Sequence, residues 1–131
     1  MGRDQEQAQK SGTPASIREA LKKATTELLV LFVLRRKPMY TYEMMATIET
    51  RSEGKLTFNT LYQAIYRLRG FQYIQEQEKV ISEDNRTRIY FAITQSGLEY
   101  LEQLIAEYRS FTSTLDKILS TDSAALGGEE T

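Results

Sequence analysis

The sequence predicts a mainly α-helical fold with one small β-hairpin, and three observations support this prediction. Helix-capping and helix-stopping residues bracket three amphipathic or apolar segments before residue 71. Two short runs rich in β-forming residues then follow one another around a polar turn. A last segment carries apolar residues at helical spacing over about 25 residues. At 131 residues, the chain has the length of a single domain.

The first helix is predicted to begin at Ser16, because Ser16 and Glu19 have the spacing of a capping box. Residues 28–34 are apolar all round, which indicates burial on most sides. Pro38 follows three basic residues and ends the helix. Residues 1–15 are polar and are predicted to form a disordered N-terminal tail.

The second helix is predicted to begin at Thr41, with Glu43 in its first turn. Residues 52–55 form a polar, glycine-containing loop that ends it. The inward-facing side chains are expected to be Met45 and Ile48, helped by Met44.

The third helix is predicted to run from a Thr57 cap to about Arg69, with Gly70 as its stop. A helical wheel places five apolar side chains on one face, which must pack against the first two helices. They are Phe58, Leu61, Ala64, Ile65 and Leu68.

The outer face of the third helix carries polar side chains and no acid. Amides and a guanidinium suit base edges, and hydroxyls suit phosphate oxygens. An ordinary solvated face is the alternative, but such faces usually carry Glu as well as Lys. We therefore predict a DNA-reading face formed by Asn59, Thr60, Tyr62, Gln63, Tyr66 and Arg67.

The hairpin is predicted over residues 73–81 and 87–93, with a turn at 82–85. Three helices followed by a hairpin are typical of a winged helix-turn-helix domain, although other small α+β domains share this order. Lys79, Arg86 and Arg88 are candidates for DNA contact on the wing. Taken alone, the hairpin favours ordinary cross-strand pairs with its own glutamates. The predicted DNA-binding domain covers residues 16–93.

The last helix is predicted over residues 94–119, with Thr94 as its cap. After Gly97, apolar or aromatic residues recur at alternating steps of four and three positions, which is the heptad pattern of packed helices, over three heptads. Such a helix extends past the core of its own domain, so we favour dimerisation over packing on the wing alone. The predicted dimerisation residues, called here the seam, are Leu101, Leu104, Tyr108, Phe111, Leu115 and Ile118. Residues 120–131 are predicted to be a disordered tail.

Composition excludes several classes of function. The chain has no Cys and no His, which excludes disulfides, Cys/His zinc sites and imidazole catalysis. We predict no catalytic residue, no metal and no cofactor. Net charge is −1 overall but +3 over residues 35–90 and −5 over residues 91–131, which places the acid away from the predicted reading face. The longest apolar run has seven residues, so we expect a cytoplasmic protein without a membrane partner.

Residues 24–119 resemble the PadR family of bacterial transcription regulators. The similar segments are 25–31 (TTELLVL), 39–43 (MYTYE), 60–68 (TLYQAIYRL), 73–74 (YI) and 86–97 (RTRIYFAITQSG). The chain departs from the family's usual pattern at Thr41, which replaces a Gly, at Gln63, which replaces a Pro, and at Arg69, which replaces an acid. Arg69 adds a cation for phosphate contact.

The resemblance implies a winged helix-turn-helix repressor of the one-helix C-terminal type. Such a protein binds a pseudo-palindromic operator in double-stranded DNA as a homodimer. The resemblance also adds Tyr42 to the DNA-contacting residues. Some members of the family respond to small aromatic effectors in a cavity that is often built on a Trp. This chain has no Trp, and Tyr100, Tyr108 and Phe111 are its candidates, although packing within the seam is the simpler interpretation.

Three other functions stay open from the sequence. A replication-terminator-like winged-helix dimer would share the DNA chemistry and differ in its genomic sites. A dimeric adaptor would bind protein and leave duplex DNA unshifted at low salt. An enzyme would need acids around Mg²⁺. The candidates lie on the hairpin, without a glycine-rich phosphate loop or EF-hand spacing: Glu76, Glu78, Glu83 and Asp84.

Overall fold

The computed structural model describes residues 12–81 and 83–129, with side chains described up to Thr121. Residues 1–11 and 130–131 of the predicted disordered tails lie outside the described residues, whereas residues 14–15 and 120–129 of those tails are helical. The mainly helical fold with one hairpin is confirmed. Its elements in chain order are α1 (Pro14–Leu34), α2 (Thr41–Arg51), α3 (Tyr62–Gly70), β1 (Ile74–Ile81), β2 (Thr87–Ile93) and α4 (Gln95–Glu129).

Helix α1 begins at Pro14 rather than at the predicted Ser16, and Thr13 is its cap. Proline suits the first helical position, because its φ is preset and the missing N–H would have had no helical partner. The Thr13 hydroxyl accepts the N–H of Ser16 at 3.3 Å, which gives Ser16 the opposite role from the predicted one. Glu19 lies 3.7 Å from Lys22 and takes no part in a capping box.

Helix α2 begins one residue after Tyr40, whose N–H donates to the Glu43 carboxylate at 3.3 Å. Thr41 is the first helical residue rather than the predicted cap. Met44 and Ile48 are buried, whereas Met45 is only partly buried and packs at the edge of the core. The two methionines thus exchange the roles that the sequence predicted.

Helix α3 is shorter than predicted, since it begins at Tyr62 and not near Thr57. The Thr60 hydroxyl accepts the N–H of Tyr62 at 3.1 Å, so Thr60 precedes the helix. Lys22 holds the preceding loop by donating to the Thr57 carbonyl at 2.6 Å and by lying over the Phe58 ring. Phe58 packs on the same core as the helix, which explains why its position looked helical.

The hairpin forms as predicted, with Ile74 paired to Ile93 and Ile81 paired to Thr87. A bulge between Glu76 and Glu78 shifts the register. A single antiparallel β-bridge extends the edge of the two-stranded sheet, because Met39 exchanges both backbone hydrogen bonds with Phe91, at 3.1 and 2.9 Å. The sequence did not predict this bridge, which fixes the start of α2 beside the wing.

Helix α4 begins after Thr94, whose hydroxyl accepts the N–H of Gly97 at 3.0 Å, as the predicted cap requires. It continues to Glu129 instead of ending near Leu119, which gives a length of about 52 Å. The predicted end at Leu119 is therefore wrong. Elongating an existing helix is much easier than starting one, and residues 124–126 are good helix formers.

The core lies where α1 crosses the other helices, and the wing closes it. Leu101, in the first turns of α4, is buried in this core. Gly97 lies so close to the carbonyl of Tyr73 that an added Cβ would overlap it. This contact brings the start of α4 directly against the turn that follows α3. The fully buried side chains include Val30, Leu31, Leu34, Met44, Leu61, Leu68 and Ile74.

Candidate nucleic-acid interface

Helix α3 presents its polar side chains to two grooves, one on each flank. We call the groove between α3, the start of α2 and strand β2 the wing-side groove. Its volume is about 370 Å³, and its lining in the described part of the chain includes no Asp or Glu. The polar side chains that line it are Tyr40, Thr41, Tyr42, Tyr62, Tyr66, Arg69, Thr87 and Arg88.

Three of these tyrosines are strongly exposed. Tyr42, Tyr62 and Tyr66 each expose about two thirds of their surface, at 66%, 68% and 68%. The rings of Tyr62 and Tyr66 stack with centroids 6.1 Å apart. An exposed phenol offers both a hydroxyl for a phosphate or base edge and a ring face for apolar contact.

Two arginines border the wing-side groove, and both are oriented by neighbours. Arg88 lies over the Tyr40 ring at 4.5 Å, and Tyr40 in turn meets Tyr90 edge-on. Arg69 pairs with Glu76 of β1 at 3.0 Å. The sequence did not predict a role for Tyr40, although its position directly before Thr41 and Tyr42 was a usable signal. Tyr40 acts as a platform that fixes the Arg88 guanidinium.

The wing carries the charge pairs that the sequence analysis raised as an alternative, but with a different partner. Asp84 lies 3.6 Å from Arg86 and 3.9 Å from Arg88, so the turn aspartate pairs with both arginines. Arg86 remains strongly exposed at the wing tip. Lys79 pairs with Ile89 in the strand ladder and is exposed.

Arg67 lies on the other flank of α3, facing α1. Its Nε donates to the Glu27 carboxylate at 2.7 Å, and its guanidinium lies 6.0 Å from the Phe71 ring centroid. The hydrogen bond and the charge of Glu27 raise the pKa of Arg67 above its ordinary value, so the side chain stays charged. Burial, and then the Glu27 charge, raises the pKa of the neighbouring Tyr100.

The groove between α3 and α1, called here the α1-side groove, has a volume of about 880 Å³. Thr60, Gln63 and Arg67 of the predicted reading face line it, and Tyr62 lines both grooves. Lys23 and Glu27 of α1 line the other wall. Asn59 is exposed in the loop before α3 and does not share the helix face to which the wheel assigned it. The structure therefore divides the predicted reading residues between two flanks of one short helix.

The outer part of α4, residues 106–121, is called here the outer arm. Its side chains at the predicted seam positions are exposed, at 48% for Tyr108, 62% for Phe111, 42% for Leu115 and 57% for Ile118. Ile17 and Leu21 of α1 are exposed as well.

The inner seam residues have a different environment. Leu101 is only 3% exposed and belongs to the core of its own chain, and Leu104 packs against that core. Leu101 is therefore covered by its own chain, whereas Leu104 is only partly buried, and the assignment of these two residues to a dimer interface stays a prediction. Tyr100 stacks on Tyr73 at 4.2 Å, away from Tyr108 and Phe111. Tyr100 thus packs within its own chain, whereas Tyr108 and Phe111 are exposed on the outer arm.

The described residues contain neither a metal-binding cluster nor a membrane-spanning helix. No group of three or more Asp and Glu in residues 12–81 and 83–121 is arranged to hold a metal ion. Within the same ranges, no helix combines the length and apolar character needed to cross a membrane.

Comparisons with known proteins agree with this geometry. The profile of the "Transcriptional regulator PadR-like family" matches residues 30–103, which is more than half of the chain. No curated protein matches the chain in sequence.

Solved structures share the fold. A transcriptional regulator from Clostridium thermocellum superposes with a TM-score of 0.66 at 24% identity, covering 75% of this chain and 96% of that one. A PadR-like transcriptional regulator from Bacillus cereus superposes with a TM-score of 0.62 at 22% identity, covering 76% of this chain and 96% of that one. A PadR family transcriptional regulator from Eggerthella lenta superposes with a TM-score of 0.65 at 23% identity, covering 80% of this chain and 87% of that one.

Proposed function

The chain belongs to the PadR-like family of transcriptional regulators, and we propose that it represses transcription by binding a pseudo-palindromic operator as a homodimer. The observation that supports this most directly is the wing-side groove. Four tyrosines and two arginines line it, and the described residues of its lining include no Asp or Glu. The groove lies beside a short helix that a major groove can accommodate.

In the proposed complex, α3 lies in the major groove. Tyr62, Gln63 and Tyr66 form the middle of its exposed face and contact base edges. Tyr42 at the start of α2, and Arg88 on β2, contact the phosphates on the wing side. Arg86 and Lys79 lie along the wing and reach the neighbouring backbone or minor groove.

The second copy of the chain is proposed to cover the outer arm. Its seam residues are exposed in one chain although they repeat at the spacing of a helix-packing stripe. A soluble protein seldom leaves such a stripe open. A two-fold axis through paired arms sets two α3 helices on one side of the dimer, where they read half-sites about 34 Å apart.

The test is selection of bound genomic fragments by the purified protein, followed by titration of the enriched sequence at several salt concentrations. We expect one enriched motif with two-fold symmetry, upstream of genes. Arg88→Ala should weaken binding about ten-fold. It should also reduce the slope of log affinity against log salt concentration by about one, because one phosphate contact is lost. Arg51→Ala removes the same charge at the opposite end of α2 from Tyr42 and should leave binding unchanged.

Each competing function gives a different result in the same experiment. Enrichment of sites at the replication terminus would favour a fork-blocking role over promoter binding. Absence of any shift of duplex DNA at low salt would contradict DNA binding and favour an adaptor. A reporter gene placed behind the enriched motif then distinguishes repression from activation.

A further inference from the structure

The two arginines of α3 are both held by carboxylates, but from opposite directions. Arg69 is held by Glu76 on the wing, and Arg67 is held by Glu27 on α1. The hydrogen bond to Glu27 is the shorter, at 2.7 Å against 3.0 Å. Glu27 itself is the less exposed partner of its pair, with 24% of its side chain accessible against 62% for Arg67.

The pair leaves a defined part of Arg67 available to DNA. Only Nε of the guanidinium donates to Glu27, and no other hydrogen bond of the Arg67 side chain occurs among the described residues. The Nη edge, which carries the four remaining N–H donors, is the one that suits an end-on bidentate contact with a base. The Phe71 ring lies beside the guanidinium, with its centroid 6.0 Å from Cζ of Arg67.

From this geometry we propose that Glu27 is a positioning residue that makes Arg67 a base reader rather than a phosphate contact. The proposal rests on the proposed DNA binding. An arginine that is already fixed loses less conformational entropy when it forms a directional pair with a base. The Glu27 charge also offsets that of Arg67, which weakens its attraction to phosphates anywhere along the duplex.

The proposal predicts a separation of specificity from general affinity. Glu27→Ala releases Arg67, so the base preference at one position of each half-site should fall about ten-fold. The released arginine is then free to pair with a phosphate, and the salt dependence of binding should become steeper by about one unit of slope. A residue with a purely structural role would not produce this pair of changes.

The measurement is the sequence preference of each variant, determined from randomised operator pools together with salt titrations of the wild-type operator. Arg67→Ala should lose the same base preference without the steeper salt dependence, and the double variant should behave like Arg67→Ala. Glu27→Gln keeps an acceptor oxygen at the same reach and should retain more of the preference than Glu27→Ala. Glu19→Ala, the matched control, removes the same charge from an exposed carboxylate of α1 and should change neither property.

Three outcomes would overturn the proposal. Glu27→Ala could behave like Glu19→Ala in both base preference and salt dependence. Alternatively, Glu27→Ala and Glu27→Gln could lower affinity uniformly at every operator position, which would indicate a structural role. The third outcome is a wild-type protein that enriches no sequence, which would refute the proposed function together with this inference. The first two leave the proposed function intact.

Discussion

The inner and outer parts of α4 carry the same apolar spacing and have opposite environments. In the inner part, Gly97 is pressed against the Tyr73 carbonyl, Leu101 is buried, and Tyr100 stacks on Tyr73. In the outer arm, Phe111 and Leu115 continue the same stripe into solvent. One helix thus belongs both to the winged-helix head, residues 14–105, and to a surface that a single chain leaves uncovered.

The contrast shows what a heptad spacing reports. It identifies the face of a helix that is to be buried, but not the chain that buries it. Leu101 and Leu115 occupy equivalent steps of the spacing, yet only Leu101 has its partners within the chain. The two parts of α4 should therefore respond to substitution in different ways, one through the stability of the head and the other through assembly.

The largest effect is expected from Gly97→Val in the inner part. A side chain at this position overlaps the Tyr73 carbonyl and approaches Ile93. That carbonyl also accepts the Thr94 N–H at 3.0 Å, so it cannot move away without breaking the joint between α3 and α4. We expect a loss of more than about 4 kcal/mol in the free energy of unfolding, measured by chemical denaturation.

Gly70→Ala is the matched control for Gly97→Val. No heavy atom lies within 4 Å of the Cβ that this substitution adds, and the position is helical. Stability should stay equal or rise by up to about 1 kcal/mol, since Ala favours helix over Gly. A Gly97→Val protein as stable as the wild type would contradict the close packing of Gly97 against the Tyr73 carbonyl.

A smaller effect, confined to assembly, is expected from Phe111→Asp combined with Leu115→Asp in the outer arm. The two charges should separate the proposed dimer in light scattering, while the circular dichroism of the head stays unchanged. Operator affinity should fall about 100-fold or more, because the second half-site contact becomes bimolecular again.

The opposite face of the same segment provides the control for this double variant. Ala106 and Ser113 are exposed there, and Ala106→Asp with Ser113→Asp introduces the same charge away from the seam. These substitutions should leave the dimer intact. Dissociation by both double variants would indicate a general charge effect and would remove the seam from the interface.

The sequence predicted local features of this fold well, because they depend on neighbouring residues. The turn after β1, the Thr94 cap and the end of α1 before Pro38 are local signals that no distant contact overrides. The errors arose where two signals overlapped. Phe58 lies in phase with α3 but packs from a loop, and Pro14 moves the start of α1 upstream of the Ser16 signal.

The candidate site was predictable in its residue types and much less in its arrangement. Tyrosines, amides and arginines without acid were visible in the sequence around residues 59–69. The partner that holds Arg67, however, lies forty positions away on α1, and Tyr40 reaches Arg88 across the sheet. Such pairings depend on how the helices pack, which a wheel drawn for one helix does not contain.

The smallest expected effect compares one substitution in the two environments of α4. Thr94→Ala removes the hydroxyl that accepts the Gly97 N–H and donates to the Gln72 carbonyl at 2.8 Å. It should cost about 1–2 kcal/mol of stability as a lost helix cap.

Thr114→Ala is the matched change in the outer arm, where it removes a hydroxyl that donates back to the Ser110 carbonyl at 2.9 Å. Because Ala is the better helix former, this change should be neutral or slightly stabilising. Equal losses for the two variants in thermal denaturation would mean that the outer arm is as tightly packed as the head.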